Sequence, residues 1–216
     1  HFGFGVGRIR HMMVSDAFEE QSALDIRDCL LEDCLDWMKQ NEVKCVIARV
    51  DLDCVHDIAA YEQRGFKLVD VLATFHLSLD SVNSDSHSQS ERLITIRPSC
   101  AKDELKLMEI ARNAFMNDHF HRDSRFPRNK SDELFAKWVY NCCHGRVDAV
   151  LVAETESEEP CGFITCKIEQ LQRGLKYGVI DLVAVSPLRQ GSGIGSQLVT
   201  EAIRWFSPVS YTHIRA

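Results

Sequence analysis

The chain has 216 residues, of which 45% are hydrophobic and 26% charged, with a formal net charge of −7 at pH 7. That length supports one or two domains with a real core, and the composition is that of a globular protein. The acidic balance, without any long Lys/Arg run, excludes the usual nucleic-acid footprint; no apolar stretch reaches the roughly 18 residues of a membrane span, and no secretory signal is legible.

The nine cysteines do not read as a disulfide scaffold or a zinc site. Cys29, Cys34, Cys45 and Cys54 lie in helical or strand-like apolar contexts with no CxxC pair, and the adjacent Cys142 and Cys143 chelate poorly. Reduced, mostly buried thiols in a cytoplasmic protein are expected, with no metal.

In chain order, Ala23 to Gln40 has helical apolar spacing (Leu24, Leu31, Cys34, Leu35, Met38) and stops at Asn41. Cys45 to Val50 predicts a buried strand, Asp53 to Arg64 a helix stopped by Gly65, and Phe66 to Leu79 one long strand or a hairpin. Asp80 to Glu91, Ser-rich and aperiodic, reads as a linker between a first part (1–79) and a second (92–216). Next come a strand at Leu93 to Arg97, a helix from Ser99 to Phe115 capped by Ser99 with an apolar face of Leu105, Met108, Ala111, Ala114 and Phe115, and an irregular stretch at His119 to Lys130. A helix follows over Ser131 to Cys143 with Ser131 as N-cap, then strands at Ala149 to Ala153 and Gly162 to Ile168. Gly178 to Val185 is an almost unbroken apolar run, expected as a central strand, and Gly193 to Phe206 is a helix. The order predicts an α/β (α+β) fold with a mixed central sheet flanked by helices.

The chemistry concentrates between Asp181 and Phe206. A buried strand ends at Val185, a short loop carries Gln190, Gly191, Ser192, Gly193, Ile194 and Gly195, and a helix starts at once. Successive N–H groups of such a turn converge with the free N–H groups of the helix start, and the helix dipole favours negative charge, so a phosphate is the ligand this pattern fits. No Lys follows the glycines, which excludes a P-loop, and the spacing is not GxGxxG.

Gln190-x-x-Gly193-x-Gly195 after Val183-Ala184-Val185 resembles the Q/R-x-x-G-x-G/A motif of the GNAT superfamily of N-acetyltransferases, and the order of elements from Leu93 onward is similar to that family. The resemblance implies that acetyl-CoA is the cosubstrate. Its pyrophosphate would lie on Gln190, Gly191, Ser192, Gly193, Ile194, Gly195 and Ser196, and its pantetheine arm along the main chain of Leu182, Val183, Ala184 and Val185. It also implies a leaving-thiolate acid, commonly a Tyr on a helix after the next strand, which would lie beyond Ala216; the chain accordingly reads as truncated at its C-terminus. A related pattern occurs at Asp57 to Phe66 with Tyr61 at the Tyr position. Either the first part is a degenerate GNAT-like half-domain or Tyr61 serves the second part; Tyr61 also fits a packed helix tyrosine.

A GNAT-like first part, a linker and a full GNAT domain resemble the TDP-fucosamine acetyltransferase group, which implies a dTDP-linked amino sugar as acceptor and a possible homodimer, with neither nucleic acid nor membrane as partner. The loop His119 to Arg128 gathers His119, His121, Arg122, Arg125 and Arg128 with Phe120 and Phe126. Cations bind a diphosphate and aromatics cover a sugar or base, so Phe120, Arg122, Arg125 and Phe126 are the candidate substrate residues; a solvated basic loop anchored by its Phe residues fits the same pattern. Candidate general bases are Asp181, His119 and His121. A GNAT acting on a protein N-terminus or small amine, and a CoA-binding module without turnover, are the alternatives.

Overall fold

The computed structural model describes residues 1–10, 12–15, 17, 19–79, 94–170, 176–207 and 213–215. The expected linker from Asp80 to Glu91 lies outside the described residues, as do Leu93, Tyr211, Thr212 and Ala216. The chain forms two compact units, His1–Val69 and Asp70–Ala216.

In the first unit, strands β1 (Gly5–Ile9) and β2 (Val43–Ala48) pair in parallel, with helix α1 (Glu20–Gln40) between them in sequence and helix α2 (Val55–Gln63) after them. Strand β1 was not legible, because three glycines in its neighbourhood dilute the apolar signal; a Cβ on Gly7 would lie 2.8 Å from Met38 Sδ, so the Met38 side chain of α1 packs into the space that this glycine leaves. Gly65, at φ +83°, closes α2: the N–H groups of Gly65 and Phe66 donate to the carbonyls of Glu62 and Tyr61, and the Tyr61 and Phe66 rings meet at 5.0 Å. Tyr61 is buried with Ile9, Leu31 and Met38, and burial raises its phenol pKa. It packs as a core tyrosine of this unit.

The expected strand or hairpin over Phe66 to Leu79 shrinks to β3 (His76–Ser78), which pairs with β9 (His213–Arg215) of the second unit's sheet. Leu68, Val71, Leu72 and Phe75 are exposed and belong to no strand. Alternation predicts extended chain, but a ladder also requires a neighbouring strand.

The second unit's sheet runs β3–β9–β7–β6–β5–β4, with β4 (Thr95–Pro98), β5 (Ala149–Glu154), β6 (Pro160–Gln170) and β7 (Lys176–Val179); β8 (Val183–Val185) pairs with β6 as well. Among the described residues of this sheet β7 and β9 alone pair in parallel, so it is mixed as expected. Helices α3 (Glu104–Ala114), α4 (His119–Arg122), α5 (Arg128–Asn141) and α6 (Ile194–Phe206) complete the unit. Alternate residues of β5 enter two cores: Val150 and Val152 join Leu107, Ile110, Phe135 and Val139 of α3 and α5, while Leu151 and Ala153 join Ile194, Leu198, Ala202 and Phe206 of α6. This is the layered α/β arrangement read from the element order.

Local corrections have local causes. Ser99 does not cap α3: Cys100 leads into a short 3₁₀ turn at Ala101–Asp103, and the Cys100 N–H donates to Asp103 Oδ2 at 2.8 Å. The inward face of α3 is accordingly Leu107, Ile110 and Ala111, and Leu105 is exposed. Ser131 does not cap α5 either; the helix begins at Arg128 after Pro127, and the fully buried Ser131 hydroxyl donates to the Phe120 carbonyl at 2.9 Å. The expected strand Gly178 to Val185 is broken into β7 and β8.

One buried charge cluster ties the sheet edge to α3. Arg97 on β4 donates to both carboxylate oxygens of Asp103, at 2.7 and 2.9 Å, and to Glu154 at 2.6 Å. The Arg97 hydrogen bonds, with desolvation opposing them, hold the Asp103 carboxyl well below the usual carboxylate range. Because the folded value is depressed, this stabilisation is present above the unfolded carboxylate pKa near 4 and is lost as pH falls through the folded value. Asp103→Asn should therefore lower the urea-unfolding free energy at pH 7 by about 2–4 kcal/mol and flatten the acid limb of the stability profile below pH ~4. Gly178→Ala should cost about 1–3 kcal/mol in the same measurement, since the added Cβ would sit 2.7 Å from the fully buried Phe206 ring.

Candidate active site

The site begins with a break in a strand. β6 pairs along one edge with two successive segments: Ile164 lies opposite Val183 of β8, and Lys167 opposite Val179 of β7. Ile180, Asp181 and Leu182 must fit opposite Thr165 and Cys166, which makes a bulge. Among the described residues β9 pairs with β7 at Tyr177, Gly178 and Val179, and β8 pairs with β6 alone.

The backbone register says which groups face that edge. Leu182 accepts from the Thr165 N–H at 2.9 Å, and the Ser186 N–H donates to the Cys161 carbonyl at 2.8 Å. Leu182, Ala184 and Ser186 thus turn their peptide groups toward β6, and Val183 and Val185 turn theirs outward. The Gln190 amide already donates to the Val185 carbonyl from that side, at 3.2 Å. Of the four strand residues named from the sequence, Leu182 and Ala184 are buried and bonded inward, while Val183 and Val185 carry the outward hydrogen-bonding groups.

The loop then rises to α6. Pro187–Arg189 make a 3₁₀ turn, the Ser192 hydroxyl donates to the Arg189 carbonyl at 2.6 Å, and Gly191 and Gly193 take φ of +78° and +80°. Gly193 is the N-cap of α6 in the left-handed region and offers no side-chain cap. Among the described residues the N–H groups of Ile194, Gly195 and Ser196 find no protein acceptor. A Cβ on Gly195 would meet only Val185 Cγ2, at 3.9 Å. It would project into the open cleft lined by Val183, Gly195, Ser196 and Val199. The arrangement presents bare amides, the positive end of a helix dipole and an exposed strand edge side by side, a surface built for an anion attached to an extended arm.

The other sequence candidates fall apart from one another. Asp181 is exposed in the bulge rather than on a continuous strand. His119 opens α4, where its N–H and ring Nδ1 both face Asp70, at 3.0 and 3.2 Å, and its ring lies 4.1 Å from that of Phe120. The His121 ring is held at both nitrogens, by Asp118 at 2.5 Å and Asp132 at 3.0 Å, and its side chain is 4% exposed. With no ring nitrogen left to take a substrate proton, His121 fixes α4 to α5 and does not fit a general base. The stretch expected as irregular is partly ordered by this clamp. Phe126 is buried against the edge of Phe120 at 5.2 Å, and Arg125 is paired with Asp123, whose carboxyl it holds below the usual range. Arg122 and Arg128 are exposed.

Desolvation pushes the buried thiols of Cys142 and Cys166 up to about 12, which keeps them protonated and unreactive. Among the described residues no cluster of His, Cys, Asp or Glu could hold a metal ion, and no helix is long and apolar enough to cross a membrane. Sequence reasoning missed Thr165 and Val199. The signal for Thr165 was present, as the one hydroxyl inside the apolar run Gly162 to Ile168.

Residues 108–216 match the family model described as the acetyltransferase (GNAT) family. Solved structures similar to this chain include a GNAT-family N-acetyltransferase from Escherichia coli in complex with CoA, at 19% identity and TM-score 0.43, with 58% of this chain and 62% of that one covered. A GNAT-family acetyltransferase from Brucella melitensis in complex with acetyl-CoA matches at 21% identity and TM-score 0.39, over 55% of this chain and 71% of that one. An aminoglycoside antibiotic 6′-N-acetyltransferase from Acinetobacter haemolyticus matches at 14% identity and TM-score 0.40, over 56% and 76%. Comparison with curated protein sequences finds no match.

The two loop glycines should respond differently to substitution. Gly193→Ala forces a Cβ into the left-handed region and should lower stability by about 1–2 kcal/mol in urea titrations. Gly195→Leu, with open space at its Cβ and ordinary helical backbone, should stay within about 0.5 kcal/mol of the unsubstituted chain.

Proposed function

The chain belongs to the acetyltransferase (GNAT) family, and we propose that it transfers the acetyl group of acetyl-CoA to a primary amine. The observation that carries the reading is the junction of bare N–H groups at Ile194, Gly195 and Ser196 with the outward peptide groups of Val183 and Val185. The residues fit the cosubstrate. A pyrophosphate accepts from the loop and helix amides, where Gly195 leaves the space that a side chain would fill. The amide-bearing pantetheine arm pairs with Val183 and Val185 as a further strand would, displacing the Gln190 side chain from the Val185 carbonyl.

In the reaction the amine must first be neutral, because an ammonium has no lone pair with which to attack. The free amine adds to the thioester carbonyl, the C–S bond breaks, and the thiolate leaves as the amide forms. Asp181 is the candidate base that the fold leaves accessible, two residues before the start of β8. His119 keeps Nε2 free of the Asp70 contact and is the second. A water chain to either would serve as well.

For the acceptor, the amine of a nucleotide-linked amino sugar of the dTDP-fucosamine type remains our reading of the basic loop, with Arg122 and Arg128 as its exposed cations. One observation favours a smaller amine or a protein N-terminus: Arg125 is committed to Asp123 and Phe126 is an interior anchor, so two of the four substrate residues expected from the sequence are already in use.

Calorimetric titration of acetyl-CoA tests the reading. Micromolar binding is expected, weakened at least 30-fold by Gly195→Leu at unchanged stability; no binding to the folded chain would overturn it. Turnover with a panel of amines, read by thiol release, then separates amino-sugar from small-amine acceptors. Asp181→Asn should lower kcat/KM about 10²-fold if Asp181 is the base.

A further inference from the structure

We propose that Thr165 is a positioning residue whose buried hydroxyl holds the bulge between β7 and β8, and thereby sets the outward peptide groups of β8 for the acyl-carrying arm of acetyl-CoA. The inference rests on the acetyl-CoA reading and names the residue on which its strand-like half depends.

Thr165 is fully buried and lies at the changeover point on β6, between the residues that pair with β8 and those that pair with β7. Its hydroxyl accepts from the Leu182 N–H at 3.0 Å and lies 3.4 Å from the Leu182 carbonyl, which also accepts from the Thr165 N–H at 2.9 Å. In an unbroken ladder the Leu182 N–H would donate to a β6 carbonyl. Here the extra residue in the bulge displaces it, and a side chain replaces the lost acceptor. The Thr165 hydroxyl is the acceptor of this buried N–H, and removing it takes that bond away from a group shut off from water.

The consequence reaches the site because Leu182 is followed at once by Val183. The bulge shifts the strand's hand by one residue, and Leu182, once fixed inward, obliges Val183 and Val185 to present their peptide groups outward. Gly162 holds the far end of the same short strand: a Cβ there would lie 2.9 Å from the Ala184 carbonyl oxygen. β8 is thus pinned at Leu182 by Thr165, while Gly162 lets Ala184 of β8 and Ile194 and Leu198 of α6 approach β6 together. The Thr165 contact itself touches neither the glycine loop nor α6, so its removal bears on the arm-binding strand and leaves the anion-binding amides in place.

That separation supplies the test. Adenosine 3′-phosphate 5′-diphosphate carries the anionic half of the cosubstrate without the arm. In calorimetry, Thr165→Val should weaken acetyl-CoA about tenfold and leave the arm-less nucleotide within twofold, and Thr165→Ser, which keeps the hydroxyl, should restore acetyl-CoA binding. Equal losses for both ligands, or no loss for either, would overturn the inference. An unsubstituted chain that binds neither ligand would overturn the acetyl-CoA reading and this inference with it, whereas one that binds both while Thr165→Val keeps full acetyl-CoA affinity overturns the inference alone. Amide hydrogen exchange in the unsubstituted chain provides a measurement free of folding effects. The Leu182 amide should be protected without ligand, and the Val183 and Val185 amides only when acetyl-CoA, not the arm-less nucleotide, is bound. A Leu182 amide that exchanges as fast as Val183 in the ligand-free chain would overturn the assignment.

Discussion

Three residues opposite two: the mismatch of Ile180, Asp181 and Leu182 against Thr165 and Cys166 is the constraint from which the rest of the second unit follows. The bulge turns the peptide groups of Val183 and Val185 away from β6, where β8 pairs with no second strand among the described residues. That side of β8 adjoins the N-terminus of α6, and the two features share the cleft between Val183 and Val199.

The position of α6 depends in turn on small residues beneath it. Ile194, Leu198, Ala202 and Phe206 recur every four residues and are buried against the sheet, so the helix is fixed along its whole length. Gly178 admits the Phe206 ring at one end, and Gly162 admits the close approach of β8 at the other. Helix rotation is therefore set by packing, and the first-turn amides point where that packing sends them. The loop glycines add only the backbone freedom to enter the helix without a side-chain cap.

What the sequence revealed and what it hid divide along the same line. The glycine turn and the amphipathic helix after it are local signals and lie where they were expected, whereas the single strand expected over Gly178 to Val185 is two. The break at Ile180 to Leu182 was not legible, because β7 and β8 are equally apolar and a bulge is a relation between two strands. The caps failed for a similar reason. Ser99 and Ser131 are good capping residues by type, but Asp103, drawn to Arg97 and Cys100, and Pro127, with its fixed φ, took the helix starts elsewhere. In the His119 to Arg128 stretch the residue types predicted a ligand surface. Carboxylates at Asp70, Asp118, Asp123 and Asp132 instead engage His119, His121 and Arg125. A cluster of cations is legible from composition; which of them stay available depends on acids scattered over some sixty positions of sequence.

Charge raises the remaining question, since a chain of net charge −7 is asked to bind a polyanion. Screening resolves it. At physiological ionic strength the Debye length is about 8 Å, so distant carboxylates contribute little at the loop, while hydrogen bonds at contact distance are unscreened. The immediate surroundings of Gly191 to Ser196 hold no carboxylate in sequence from Ser186 to Thr200, and Arg189 is the one charged side chain there. The anion thus meets neutral donors, a dipole and a single cation. On the proposed reading, selectivity follows from that economy: amides in a fixed array would recognise the shape of a pyrophosphate, and the β8 edge the peptide-like arm behind it. Only a ligand carrying both at the right separation engages the whole site.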